Sequence, residues 1–182
     1  MSVRPPSFAE LVSEASTIVH ARVVAVSSRA VTSADGQKAL KTFVTFETIK
    51  TLKGTPGTRF TLSFLGGTDK ASGETWLVPG MPSFSSGDED IVFTSAGESI
   101  CPLVGAMHGR YHVATDASTG RRYVTRNDRS PLRSTSDVGL PISEHEAIRP
   151  AAAAVAAALT PEDFEQLVAA EIAHPATTPH AP

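Results

Sequence analysis

A single cysteine, Cys101, rules out an intramolecular disulfide framework and any zinc site built from cysteines. Its setting, Ser99-Ile100-Cys101-Pro102-Leu103, has no glycine elbow or helix start to depress a thiol pKa. It therefore reads as a small buried hydrophobe rather than a nucleophile. No apolar run approaches the roughly 20 residues of a membrane-spanning helix, since AAAAVAAAL at 151–159 is too short and too weakly apolar. Strong charge of either sign is missing as well. A formal charge of −3 gives no footprint for nucleic acid, which needs clustered Lys and Arg. One basic run exists, formed by Arg121, Arg122, Arg126, Arg129 and Arg133. Asp128 and Asp137 interrupt it and no aromatic ladder accompanies it, so it reads as a solvated strand end and loop, with no nucleic-acid partner. The start, MSVRPPSF, shows no export leader, which fits a cytosolic protein or an exported one whose leader lies outside this sequence.

What is present is β-patterned. With 182 residues the chain suffices for one cored domain and a tail, and 13 Gly with 13 Pro imply many turns. Residues 42–64, TFVTFETIKTLKGTPGTRFTLSF, place Val44, Phe46 and Thr48 on one face of a strand. Phe60, Leu62 and Phe64 do the same on a second, and Lys53-Gly54-Thr55-Pro56-Gly57 supplies the reversal. Upstream, Ser7 and Glu10 form a capping-box pattern ahead of Leu11, Val12 and Ala15, predicting a short helix. TIVHARVVAV at 17–26 predicts a central strand covered by that helix. Downstream, Thr160-Pro161-Glu162-Asp163 starts a helix with Phe164, Leu167, Val168 and Ile172 on one stripe. The expectation is a mainly β fold: an OB-like small barrel of about six strands over residues 7–126, with an N-terminal helix. A linker and Ala-rich segment at 127–159, an amphipathic C-terminal helix at 160–173 and a disordered tail at 174–182 complete it.

Signals for chemistry are weak. His108 and His112 form H-x₃-H, but on a strand they stand roughly 13 Å apart, too far to share one ion. They read as exposed strand histidines. Asp88, Glu89 and Asp90 read as solvated turn carboxylates, and Glu144-His145-Glu146 as exposed. There is no G-x-S-x-G elbow, and Gly66-Gly67 lacks phosphate-loop spacing. No metal, cofactor or catalytic residue is assigned. The binding candidate is the Gly- and Pro-rich loop at 66–84, which carries the only tryptophan: Trp76, Leu77, Met81 and Phe84 either form a recognition surface for a protein or polymer, or plug the barrel end. Two other readings compete: an enzyme whose site assembles from His20, His108, His112 and Cys101, and a structural part of an envelope assembly.

Several motifs together resemble an uncharacterised bacterial domain usually found behind export signals. They are Leu11-Val12 through Val23, Thr42 through Gly57, Gly66-Gly67, Pro79 through Phe84 with Gly87, and Val104-Gly105 through Val113, with the closing LTPEDFEQLV. The resemblance implies a periplasmic or extracellular location. The LKG hairpin is also similar to netrin-like and tissue-inhibitor-of-metalloproteinase barrels, which are OB folds. Inhibitors of that class act through an N-terminal cysteine, and Met1-Ser2-Val3-Arg4 has none, so the similarity implies a fold and no inhibitory residues.

Overall fold

The computed structural model describes residues 4–32, 36–97, 100–143 and 150–175. Helix α1 (Phe8–Glu14) begins on the expected capping box. The Ser7 hydroxyl accepts from the Glu10 N–H at 3.2 Å, and the Glu10 carboxylate accepts from the Ser7 N–H at 2.7 Å. Strands β1 (Thr17–Thr32) and β2 (Lys38–Lys53) then form a long antiparallel hairpin, and β3 (Arg59–Leu65) adds to the far side of β2. A two-stranded ribbon, β4 (Gly67–Thr68) with β5 (Thr75–Trp76), precedes β6 (Glu89–Thr94), β7 (Arg110–Thr115) and β8 (Arg122–Thr125). Helices α2 (Ala152–Ala157) and α3 (Pro161–Ala173) follow. The fold is mainly β, with one six-stranded antiparallel sheet in the order β3-β2-β1-β6-β7-β8.

That order places β1 at the centre, where its apolar sequence predicts it. It also leaves the sheet open, in place of the barrel expected from the sequence: among the described residues β3 and β8 are edges that do not pair with each other. Loop segments take over part of what closure would do. The Leu65 N–H of β3 donates to the Ile100 carbonyl at 2.9 Å. On β8, Val124 donates to the Leu159 carbonyl at 2.8 Å and accepts from the Leu132 N–H at 2.9 Å.

Each face of the sheet carries a core. On one, α1 and α3 bring Leu11, Val12, Phe164 and Val168 onto Ile18, Ile91, Phe93, Tyr111, Val113 and Val124. On the other, Val19, Ala21, Val23, Val44, Phe46, Phe64 and Val92 gather beneath Met81 and Phe84. Both faces of β1 are covered, Ile18 by one core and Val19, Ala21 and Val23 by the other, which is why its sequence reads apolar on both faces. The residues expected as a linker belong to this architecture instead. Leu132 and Val138 are buried in the helix-side core, and Val155 and Ala158 pack on Tyr123. The arginine run ties them down: Arg121 donates to the carbonyls of Val155 and Ala158, Arg126 to those of Leu140 and Pro141, and Arg133 to Asp137. Gly105, in the left-handed region at φ 60°, opens a tight 3-10 turn, Ala106–Gly109. A Cβ on Gly109 would fall 2.7 Å from the Val104 carbonyl and 2.9 Å from that of Phe93.

Candidate functional site

The loop at 66–84 divides its four candidate residues into two pairs. At its start, Gly67 crosses the β1–β2 hairpin so closely that a Cβ there would overlap the hydroxyls of Ser28 and Thr42. Gly67 pairs with Trp76, and Thr68 with Thr75, whose hydroxyls lie 3.0 Å apart. The ribbon's turn is closed by Asp69, which accepts from the Ser72 hydroxyl at 2.8 Å and the Ala71 N–H at 3.1 Å. Those bonds hold its carboxyl below the usual range. Trp76 is exposed, its indole N–H donating to Glu74 at 2.7 Å, and Leu77 is 89% exposed. Met81 and Phe84 turn inward. The Phe84 ring lies 5.0 Å from that of Phe64 and 5.6 Å from that of Phe46, and the Arg110 guanidinium stacks on it at 4.1 Å. Phe84 and Met81 anchor the loop in the core, and Trp76 and Leu77 face outward.

Arg110 also organises the acids that follow the loop. Its Nη2 lies 2.9 Å from Asp88 Oδ2 and 3.1 Å from Asp90 Oδ2, its Nη1 donates to the Ser83 carbonyl, and His112 Nδ1 sits 3.0 Å from Asp90 Oδ1. Asp88 and Asp90 are thus not the solvated turn acids expected; Asp90 is wholly buried, because it stands on β6 opposite His112 of β7. Asp88, Asp90 and His112 offer ligand atoms within 4.8 Å of one another, a spacing that a metal ion would suit. The Arg110 guanidinium already bridges the two carboxylates, filling a cation's place and meeting their charge. His108 and His112 do not share this site. His108 is buried in the 3-10 turn, where burial pushes its pKa down, so neither histidine is the exposed strand residue expected.

A second cluster lies on the helix side, in an open cavity of about 380 Å³ bounded by β1, β2, β6, β8 and α3. Buried His20 spans two carboxylates, with Nδ1 2.7 Å from Glu165 and Nε2 2.7 Å from Glu89. Lys50 Nζ holds the other Glu165 oxygen at 2.6 Å, Arg22 reaches Glu89 at 3.2 Å, and Arg122 closes on Glu89 from β8. Polar groups do converge here, as an enzyme requires. Yet both imidazole nitrogens are taken, so neither is free to accept a proton from a substrate. The arrangement acts as a latch that holds α3 against β1 and β6. Of the residues proposed from the sequence for an assembled site, His20 alone is in this cluster; its partners Glu165, Glu89 and Lys50 come from distant elements and carry no local signal. Cys101 stands apart in the second core, where burial pushes its thiol up. Glu144, His145 and Glu146 lie outside the described residues.

Burial pushes the Glu89 carboxyl up, but the bonds from His20 and Arg22 and the Arg122 charge outweigh it, and its pKa falls below the ordinary value. A depressed folded-state pKa contributes stability that is complete above the unfolded value and is lost as pH falls through the folded one. Glu89→Gln is therefore expected to lower the urea midpoint at neutral pH. The gap from the parent protein should close as pH drops below the carboxylate range; a gap independent of pH would remove Glu89 from this role.

A comparison with protein-family models and with curated proteins finds no match to this chain.

Proposed function

We propose that this protein is a non-enzymatic module that binds a protein or polymer through the loop at 66–84, with Trp76 and Leu77 as the contact and Met81 and Phe84 as the anchor. The observation that carries this reading is Leu77, 89% exposed beside an exposed tryptophan on a loop whose far end is fixed in the core. A leucine held so far into solvent contributes nothing to the fold, whereas its burial by a partner would be worth about 1.5–3 kcal/mol. Presentation on a rigid scaffold keeps the ordering cost of binding low. The engaged state of both His20 nitrogens and the bridging of Asp88 and Asp90 by Arg110 support the non-enzymatic part.

The resemblance to exported bacterial domains supports a location outside the cytoplasm, which an apolar leader encoded upstream of Ser2 in the gene would bear out. The binding reading is tested by immobilising the protein and exposing it to envelope and secreted fractions of its source organism. The variant Trp76→Ala with Leu77→Ser should keep the parent's urea midpoint, because exposed substitutions usually change stability by no more than about 0.5 kcal/mol. It should lose the partner that the parent captures. Equal capture by parent and variant would remove the loop as the binding surface.

A further inference from the structure

We infer that the partner contributes an extended acidic strand, which adds to the open edge of β1 at residues 25–32 beside Trp76; this deepens the binding reading above and rests on it. β1 has 16 residues, yet only Thr17–Arg22 pair with β6. The chain at 87–88 covers one more, through Val23 N–H to the Asp88 carbonyl and Gly87 N–H to the Val23 carbonyl, each 2.8 Å. The Ser86 hydroxyl reaches the Val24 carbonyl at 3.4 Å. Past that point, among the described residues, no backbone pairs with the side of β1 that faces away from β2. Alternate residues of a strand direct N–H and C=O along such an edge, which makes it a template for a further strand.

Charge selects the occupant. The described residues of the overhang, 24–32 and 38–45, include Arg29, Lys38 and Lys41 and no acid. Arg29 and Lys41 stand directly opposite each other in the hairpin, a like-charge pair that works against it. The Arg29 guanidinium lies 4.0 Å over the Phe43 ring, which holds it on the face of the sheet. Carboxylates on an added strand relieve this repulsion, whereas a basic strand, or the same edge of a second copy, adds to it. The apolar contact lies at the same arm. Gly67, against Ser28 of β1 and Thr42 of β2, is the residue that pairs with Trp76. An added strand therefore meets backbone hydrogen bonds along the edge, Arg29 and Lys41 toward one face, and the ribbon that carries Trp76 toward the other, which alternate residues of the strand can address separately.

Two heptapeptides test this, one alternating valine with glutamate and the other valine with lysine, each titrated into the full chain with amide hydrogen exchange as the readout. The acidic peptide is expected to bind at least about tenfold tighter and to slow exchange at alternate amides within 25–32. The variant Arg29→Glu with Lys41→Glu should reverse the preference. Equal binding of both peptides, unchanged exchange at 25–32, or an edge already protected by a concentration-dependent dimer would each overturn the proposal. The two readings fail separately. Loss of native-partner capture in Trp76→Ala, with no protection at 25–32 by the acidic peptide, overturns strand addition and leaves the loop as a binding surface. Protection at 25–32 with capture indifferent to Trp76→Ala supports the edge and removes the loop.

Discussion

Replacing Arg110 with methionine is expected to destabilise the protein by about 3–5 kcal/mol, the range found when one partner of a buried ion pair is removed. Arg110 is 3% exposed and Asp90 is wholly buried, so the substitution strips the guanidinium from a carboxylate in the interior and leaves it the His112 ring. Asp88 and the Ser83 carbonyl lose their donor in the same step, and the Phe84 ring loses the group stacked on it. The anchor of the loop at 66–84 is therefore disturbed together with the sheet. Domains of this size are stable by only about 5–15 kcal/mol, so the loss takes a large part of the total. Urea denaturation of parent and variant measures it. If the cost comes from the stranded charge, adding Asp88→Asn and Asp90→Asn to Arg110→Met should recover much of the lost stability, since a neutral interior needs no counter-ion. A loss under about 1 kcal/mol in the single variant would show that Asp90 finds another partner or takes up a proton at little cost.

The Arg110 network also marks where sequence reading stops. Alternation in 42–64, the capping box at Ser7 and Glu10, and the Thr160-Pro161 helix start are local signals, and each element they predict is present. The burial of Asp90 is not local. It depends on Arg110, twenty positions later, arriving on β7 beside β6. The same holds for the segment after β8. Its polar composition suits a linker, but Arg121, Arg126 and Arg133 bind its carbonyls and acids and so seat Leu132 and Val138 in the core. Openness of the sheet is equally hidden, because the same alternation suits a barrel or an open sheet, and what covers the edges comes from distant loops. In the loop at 66–84 no periodicity separates outward from inward residues. Composition alone could propose Trp76, Leu77, Met81 and Phe84 but could not divide them into outward-facing and core-packed residues.

Phe164→Ala is the second change with a large expected effect, again about 3–5 kcal/mol, because it removes a fully buried ring from the point where α3 meets the sheet. The ring centroid lies 4.9 Å from that of Tyr111, 6.1 Å from Phe8 and 6.2 Å from Phe93, so one cavity opens among three aromatic neighbours from α1, β6 and β7. Leu167, on the same stripe by sequence, is 37% exposed, and Leu167→Ala should cost far less. The pair of variants separates docking on the sheet from general helix stability, since both introduce the same residue into one helix. Glu165 makes the consequence larger than a cavity. It follows Phe164 on α3 and holds His20 and Lys50, so a helix that shifts to fill the void carries its carboxylate away from both. Double-mutant cycles between Phe164→Ala and Glu165→Gln should then show coupling, with the combined loss smaller than the sum of the single losses. Strict additivity in urea denaturation would mean that α3 stays in place over the cavity and that the latch holds without the ring.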